Sequence, residues 1–293
     1  MFLFLLTFHV ITITYDKACG IYNHINIIFC KVSHFFMYNA LQRQFDIKKN
    51  CNFAIMTQDR DVTFRFKQFS IDDSHCGMKV GTDGVVLGAW CNCRDTHKVI
   101  DVGSGSGLIA LMVAQRCNAL IDAIETDSGA CHDAQSNINC SPWRDRINLV
   151  EGCFTSYRAD TAADMVVSNP PFFTNGEEAH GAGRALARHE GSLNYSSLID
   201  FACRTLTDNG RLAFIYPSDR ENDIIYKAEM SRLKLRRVCH LRQNESRPVI
   251  RDLFEFSRID GPIEESTLTI RKRDGHSYTR DFAQLCRDFY LEL

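Results

Sequence analysis

The chain alternates between short, nearly unbroken apolar runs and longer segments in which apolar residues recur every third or fourth position. Runs of about four to eight residues bounded by turn formers suit strands buried on both faces, whereas the longer recurrence suits helices with one face on a core. On that basis strands are expected at 98–102, 120–125, 147–150, 163–168, 211–216, 235–241 and 250–257. Helices are expected at 108–117, 128–139, 195–206, 219–233 and 280–291. This alternation implies an α/β fold: a seven-stranded, mostly parallel sheet with helices on both faces. Ligands of such sheets collect beyond the carboxyl ends of the strands, so the residues after each run are where chemistry is sought.

Two of those ends carry motifs. After 98–102 stands Gly103-Ser104-Gly105-Ser106-Gly107, and a helix is expected from Leu108. Glycines at 103, 105 and 107 let the backbone pass close beneath a ligand, and the helix N-terminus offers free amide donors. A dinucleotide fold calls for G-x-G-x-x-G, but position 108 is Leu. The G-x-G-x-G spacing instead resembles that of S-adenosylmethionine-dependent methyltransferases, with Asp101 and Ser104 completing the turn. Glu125 closes the next apolar run, about 20 residues downstream, where a carboxylate can accept both ribose hydroxyls. The alternative for Glu125 is a solvated carboxylate at a strand end.

After 163–168 comes Asn169-Pro170-Pro171-Phe172. An amine on a planar group is a poor nucleophile because its lone pair is delocalised, and two acceptors on its hydrogens favour the pyramidal nitrogen that attacks. The Asn169 side-chain oxygen and the Pro170 carbonyl can be those acceptors, and Pro170 and Pro171 stiffen the loop that holds them. Phe172 can stack on the planar substrate. Taken alone the motif also reads as a strand-ending turn with two prolines. Two motifs at neighbouring strand ends favour one shared crevice.

Composition limits the setting. The chain has 293 residues, 45% of them hydrophobic, and a formal net charge of -2, which is enough for a full core. The 13 cysteines include no Cys-x-x-Cys pair, so they read as reduced thiols of a cytoplasmic protein, with no metal expected. Residues 1–55 hold only two acidic side chains, Asp16 and Asp46, and no periodicity. Their apolar start is too short to span a bilayer and lacks a basic region before it. We expect residues 1–55 to be a disordered extension or a mis-assigned start, with the native protein beginning at Met56, a single catalytic domain over 56–293 and a cofactor-capping segment over 56–95.

Further stretches carry a family resemblance. They are Phe64-Arg65-Phe66-Lys67-Gln68-Phe69, Met78-Lys79-Val80-Gly81-Thr82-Asp83-Gly84, Leu87-Gly88-Ala89-Trp90, Ala187-Arg188-His189-Glu190 and Asp288-Phe289-Tyr290-Leu291. With the two motifs above, they resemble bacterial tRNA (adenine-N6)-methyltransferases acting on the adenine beside the anticodon of a valine tRNA, from about Phe64 to the end of the chain. The resemblance implies a class I Rossmann-like fold, S-adenosyl-L-methionine as donor, N6-methyladenosine as product, and Thr82 and Asp83 near the methionine end of the cofactor; the alternative for those two is an N-terminal turn capping a helix. One departure stands out: Cys153 occupies the place of an Asp that often binds the cofactor's adenine amine, and a thiol is a weak acceptor. Phe154 can still pack on that adenine.

An RNA substrate needs positive surface, and 232–251 supplies Arg232, Lys234, Arg236, Arg237, Arg242, Arg247 and Arg251 against Glu245 alone. Substrate contacts are expected from Phe172, Phe173, Arg184, Arg188, Arg236, Arg237 and Arg242. The alternative is a solvated strand face. Two other amine methyltransferases fit the same logic: one acting on guanine N2 of ribosomal RNA, which also carries Asn-Pro-Pro-Phe, and one acting on a glutamine of release factors, which usually shows Tyr in place of Phe172. An inactive cofactor-binding RNA module is the non-enzyme alternative. A monomer without membrane attachment is expected.

Overall fold

The computed structural model describes residues 12–15, 22–26, 63–172 and 193–293. The chain divides into two compact units, Met1–Asp59 and Arg60–Leu293. Within the first, β1 (Thr12–Tyr15) and β2 (Tyr22–Asn26) pair antiparallel. The remaining expectations for 1–55, including a start at Met56, lie outside the described residues.

In the second unit, β3 (Thr63–Arg65) and β4 (Ser70–Asp72) form a small hairpin. The main sheet contains β5 (Lys98–Val102), β6 (Leu120–Glu125), β7 (Ile147–Glu151), β8 (Ala163–Ser168), β9 (Leu206–Pro217), β10 (Lys234–Arg242), β11 (Val249–Ser257) and β12 (Glu264–Thr269). Their order is β12-β10-β11-β9-β8-β5-β6-β7, parallel except that β11 runs against both neighbours. The sheet therefore has eight strands rather than seven. The missed strand, β12, is an edge strand with only Leu268 buried, so its sequence carries no apolar run.

The helices are α1 (Thr82–Trp90), α2 (Leu108–Arg116), α3 (Ser128–Asn139), α4 (Tyr195–Thr205), α5 (Glu221–Met230) and α6 (Arg280–Cys286). Strand alternation sends Val99, Met165 and Val167 into one core with α1, α2, α3 and α6. Ile100, Val102 and Val166 go into the other, with α4 and α5. Side chains of Asp127, Asn194 and Thr279 accept backbone amides at the starts of α3, α4 and α6, which satisfies donors that each first turn leaves free. The last helix stops at Cys286, short of the expected 291. Phe289 and Tyr290 amides both bond back to the Cys286 carbonyl, and Lys67 N–H donates to Phe289 O at 2.8 Å, so the chain end docks on the 63–72 hairpin.

Candidate active site

The glycine turn leaves β5 directly above its carboxyl end. Amides of Gly103 and Ser104 donate to Ile124 O at 2.9 and 3.0 Å, tying the turn to the neighbouring β6. Gly103 has φ +69°, and a Cβ there would sit 2.5 Å from Leu193 Cδ2, so no other residue fits without displacement. Glu125, at the end of β6, accepts from Gly105 N at 2.8 Å through Oε2, and from Thr126 N and Asp127 N at 2.7 and 2.9 Å through Oε1. Thr126 Oγ1 also donates to Oε1 at 3.4 Å, so only the second lone pair of Oε2 stays open. Accepting a second ribose hydroxyl requires the Gly105 amide to let go.

Asp101, fully buried on the α2 face of β5, accepts from Ala110 N at 3.0 Å through Oδ2, while Oδ1 has no partner. Burial pushes its carboxyl up to about 7; the Ala110 hydrogen bond opposes this and the nearby Glu125 charge adds to it. Ser104 Oγ is likewise buried and unpartnered.

Asn169 stands beside this turn. β5 and β8 pair in parallel with Asp101 opposite Val167, and Ser168 Oγ donates to Val102 O at 2.7 Å, so continuing the register places Gly103 next to Asn169, about one strand spacing or 4.8 Å away. Helix α1 closes the gap. A Cβ on Gly84 would lie 3.1 Å from Leu108 Cδ2 and 3.7 Å from Asn169 Nδ2, so one glycine touches both motifs. Asn169 Nδ2 points to Met78 Sδ at 3.9 Å, and its Oδ1 is buried with no partner. Pro170 is buried, and Pro171 and Phe172 are half-buried.

Phe172 is held by residues from afar. The Arg251 guanidinium of β11 lies 4.1 Å from its ring centroid, and Tyr216 meets it edge-on at 6.0 Å, with Tyr195 packed edge-on against Tyr216 at 5.4 Å. Arg251 Nε also lies 3.3 Å from Asp83 Oδ2. Burial raises the Asp83 carboxyl, and Arg251 counters it. Asp83 is thus engaged by an arginine, while Thr82, at the start of α1, is exposed.

The segment before α1 is fixed over the glycine turn by α3. Asn137 Nδ2 donates to Asp72 O at 2.8 Å and to Ser106 O at 2.9 Å, and its Oδ1 accepts from Asp72 N at 2.9 Å. Asp133 accepts from His75 N, Cys76 N and His75 Nδ1 at 2.7, 2.9 and 2.7 Å. Burial alone would raise the Asp133 carboxyl, but these contacts outweigh it and hold it below its ordinary range. Asp133 and Asn137 escaped the sequence reading because polar residues four apart on a helix look like a solvated face.

Cys153 lies just past β7, half-buried, with Sγ 3.0 Å from Thr155 Oγ1. Phe154 is a core residue, 4% exposed and edge-on to Phe201 at 5.6 Å, so its ring belongs to the α4 core. The basic stretch 232–251 splits. β10 runs parallel to β5 and β8, which puts Arg242 at the site end of the sheet and Arg236 and Arg237 in the half that leads away from it. Arg237 is committed to Glu255 at 3.0 Å, Glu264 at 3.5 Å and the Trp90 ring at 4.1 Å. Arg236 is packed under Gly261, where a Cβ would fall 2.2 Å from its Nη1. Arg242 Nε donates to Thr269 Oγ1 at 2.8 Å. Phe173, Arg184 and Arg188 lie outside the described residues.

Cys76, Cys91, Cys93, Cys117, Cys131, Cys153, Cys203, Cys239 and Cys286 are free thiols. Two groups bring potential metal-ligand atoms within 4.8 Å of one another, His75 with His132 and Asp133, and Glu221 with His240 and Asp252. Among the described residues no helix is long and apolar enough to cross a membrane.

Residues 85–234 match the model of the methyltransferase small domain. Over 233 residues the chain is 38% identical to the tRNA1(Val) (adenine(37)-N6)-methyltransferase of Tolumonas auensis, covering 79% of this chain and 98% of that protein. The protein of the same name from Aliivibrio fischeri strain MJ11 is 40% identical over 232 residues, covering 79% and 98%. Among solved structures, a predicted O-methyltransferase from Agrobacterium tumefaciens superposes with a TM-score of 0.54 at 16% identity, over 71% of this chain and 96% of that one. That likeness concerns the fold, and it agrees with a class I, Rossmann-like sheet. The glycine turn, the adjoining Asn-Pro-Pro-Phe and relatives matched over nearly their whole length lead to one conclusion: the chain belongs to the tRNA1(Val) (adenine(37)-N6)-methyltransferase family.

Proposed function

We propose that the protein transfers a methyl group from S-adenosyl-L-methionine to the N6 amine of the adenine at position 37 in the anticodon loop of a valine tRNA. The observation that carries this reading is the buried, unpartnered Asn169 Oδ1 one strand spacing from the glycine turn. An orphaned buried acceptor is costly, so it persists where a ligand donor completes it.

The residues fit the cofactor. Asp101 Oδ1 and Ser104 Oγ are further buried polar atoms without partners at the same strand end, and Glu125 keeps one acceptor position for a ribose hydroxyl. Gly103, Gly105 and Gly107, all at positive φ, let the backbone approach the ligand. The segment past β7 flanks the adenine end with Cys153 and the backbone of Phe154, whose ring is in the α4 core, and Thr82 and Asp83 flank the methionine end. When bound, S-adenosylmethionine supplies an electrophilic methyl on a sulfonium.

The chain's own residues do the rest. Asn169 Oδ1 and the Pro170 carbonyl accept hydrogen bonds from the two N–H groups of the adenine amine, which localises the nitrogen lone pair. Phe172 stacks on the base, and Arg251 and Tyr216 hold the Phe172 ring in place. No side-chain base is required, because the nitrogen gives up its surplus proton to water after transfer. An unpaired loop base is cheaper to extrude than a paired one, which suits an anticodon loop. Of the basic residues, Arg242 is placed to meet flanking phosphate, and Arg236 and Arg237 are not. Phe173, Arg184 and Arg188 remain part of the proposal as residues following Phe172 in sequence.

Incubation with labelled cofactor and, separately, total tRNA, total rRNA and release factor tests the reading, followed by nucleoside or amino-acid analysis. Label in tRNA as N6-methyladenosine is expected. Label as N2-methylguanosine in rRNA, or in glutamine, would replace it with one of the rivals.

A further inference from the structure

We infer that a basic hairpin at the end of β12, which lies outside the 232–251 stretch that the sequence singled out, joins with Arg247 of the adjoining β10–β11 turn to form the surface that grips RNA phosphates beside the target base. This rests on the proposed tRNA reading and goes beyond it by locating the partner's backbone. The chain continues past β12 as Ile270, Arg271, Lys272 and Arg273, turns, and returns through Tyr278. Ile270 N–H donates to Arg242 O at 3.0 Å and Arg271 N–H to Gln243 O at 2.9 Å, so the hairpin is fastened to the end of β10. Its tip is built: Lys272 N–H donates to Ser277 O at 2.8 Å, Gly275 sits at φ +72°, and Asp274 accepts the amides of His276 and Ser277 at 2.9 and 2.8 Å. Arg271 is spread over the Tyr278 ring at 4.5 Å.

Strand direction decides where this hairpin sits. β12 and β10 both run parallel to β8 and β5, so their ends share the edge that carries Asn169 and the glycine turn. Between β8 and β10 lie three strand steps, and between β8 and β12 four, which is about 14–19 Å at the usual spacing. That is too far to touch the target base and right for the RNA that flanks it. Arg247, Lys272, Arg273 and Arg280 are exposed there, with Arg242 and Arg271 half-buried beside them. Nearby carboxylates include Glu245, paired with Arg273 at 2.8 Å, Asp274, which is occupied with its turn, and Asp281, exposed beside Arg280. Among the described residues no carboxylate lies within ion-pair distance of Lys272 or Arg247.

A single-stranded nucleic acid loses affinity with salt at a slope of about 0.7 per neutralised phosphate. We therefore compare the full chain with the double variant Arg247→Gln, Lys272→Gln, measuring tRNA affinity from low to physiological salt, methyl transfer, and cofactor affinity. A matched control, Arg94→Gln with Arg144→Gln, removes two exposed arginines from the opposite end of the strands. The expected result is about tenfold weaker tRNA binding and a salt slope shallower by about 1.4 in the double variant alone, with cofactor affinity unchanged. Wild-type slope and affinity in the double variant, while the native chain still methylates tRNA, overturns the surface and leaves the function standing. An equal loss in the control assigns the effect to total charge and also overturns it. If the native chain transfers no methyl to tRNA, the functional reading itself fails.

Discussion

Arg251 shows most clearly what single residues contribute. It lies 168 positions from Asp83, yet one guanidinium contacts both that carboxylate and the Phe172 ring, and so couples the start of α1 to the Asn-Pro-Pro-Phe motif. Lysine keeps the charge but loses the flat surface and forked donors. A cation over an aromatic face is worth about 0.5–2 kcal/mol depending on burial, so Arg251→Lys is expected to lower kcat for tRNA by roughly 3- to 30-fold. Cofactor affinity should stay near wild type, since lysine keeps the positive charge that faces Asp83 at the methionine end. A fall in cofactor affinity with kcat unchanged, read by steady-state kinetics beside calorimetric titration, would show that Arg251 serves the cofactor instead. Asn169, Gly103 and Glu125 were legible because their chemistry follows from local order: a strand, then a turn. Arg251, Asp133 and Asn137 were not, because each acts across a long separation that only the fold closes.

Elements follow the same division. Strands β5, β6 and β8 were read to the residue, since each is an apolar run ended by a turn former. The edge strand β12 begins Glu264-Glu265-Ser266-Thr267 and is held by pairing with β10 rather than by burial, so the pattern hides it. Helix α1 entered only as the alternative reading of Thr82 and Asp83, for the opposite reason: buried from Gly84 to Ala89, it shows no polar face. Its glycines have a packing role. A Cβ on Gly88 would fall 2.6 Å from Met112 Sδ and 3.0 Å from Met112 Cβ, so α1 and α2 approach too closely for alanine. Gly88→Ala is expected to destabilise the protein by about 1–3 kcal/mol, the usual cost of overpacking, as a drop in chemical-denaturation midpoint. An unchanged midpoint would mean that Met112 swings aside and that the close approach is not required. Because α1 also carries Gly84 and Asp83 into the site, the variant should lose activity before it loses fold.

On the scale of the molecule, one topological fact organises the function. The motifs of the proposed site sit at the same edge of a largely parallel sheet: the glycine turn after β5, Glu125 at the end of β6, Asn169 after β8 and the basic hairpin after β12. Their convergence was legible for the first three, since each follows a strand whose direction an alternating α/β pattern implies. The hairpin was not, because placing it depends on β12 running parallel to β10, a crossover that no local sequence signal announces. Sequence proximity also misgrouped the basic residues: Arg237 and Arg242 share one strand, but only Arg242 reaches the site edge. The central claim is that Asn169 activates the target amine beside the glycine turn. Its most direct test is the single-turnover rate of methyl transfer to tRNA by Asn169→Ala, with cofactor affinity measured on the same preparation. We expect transfer slowed by about 100-fold or more with cofactor binding intact, the scale seen when one preorganised polar contact is lost. A wild-type transfer rate in that variant would contradict the account.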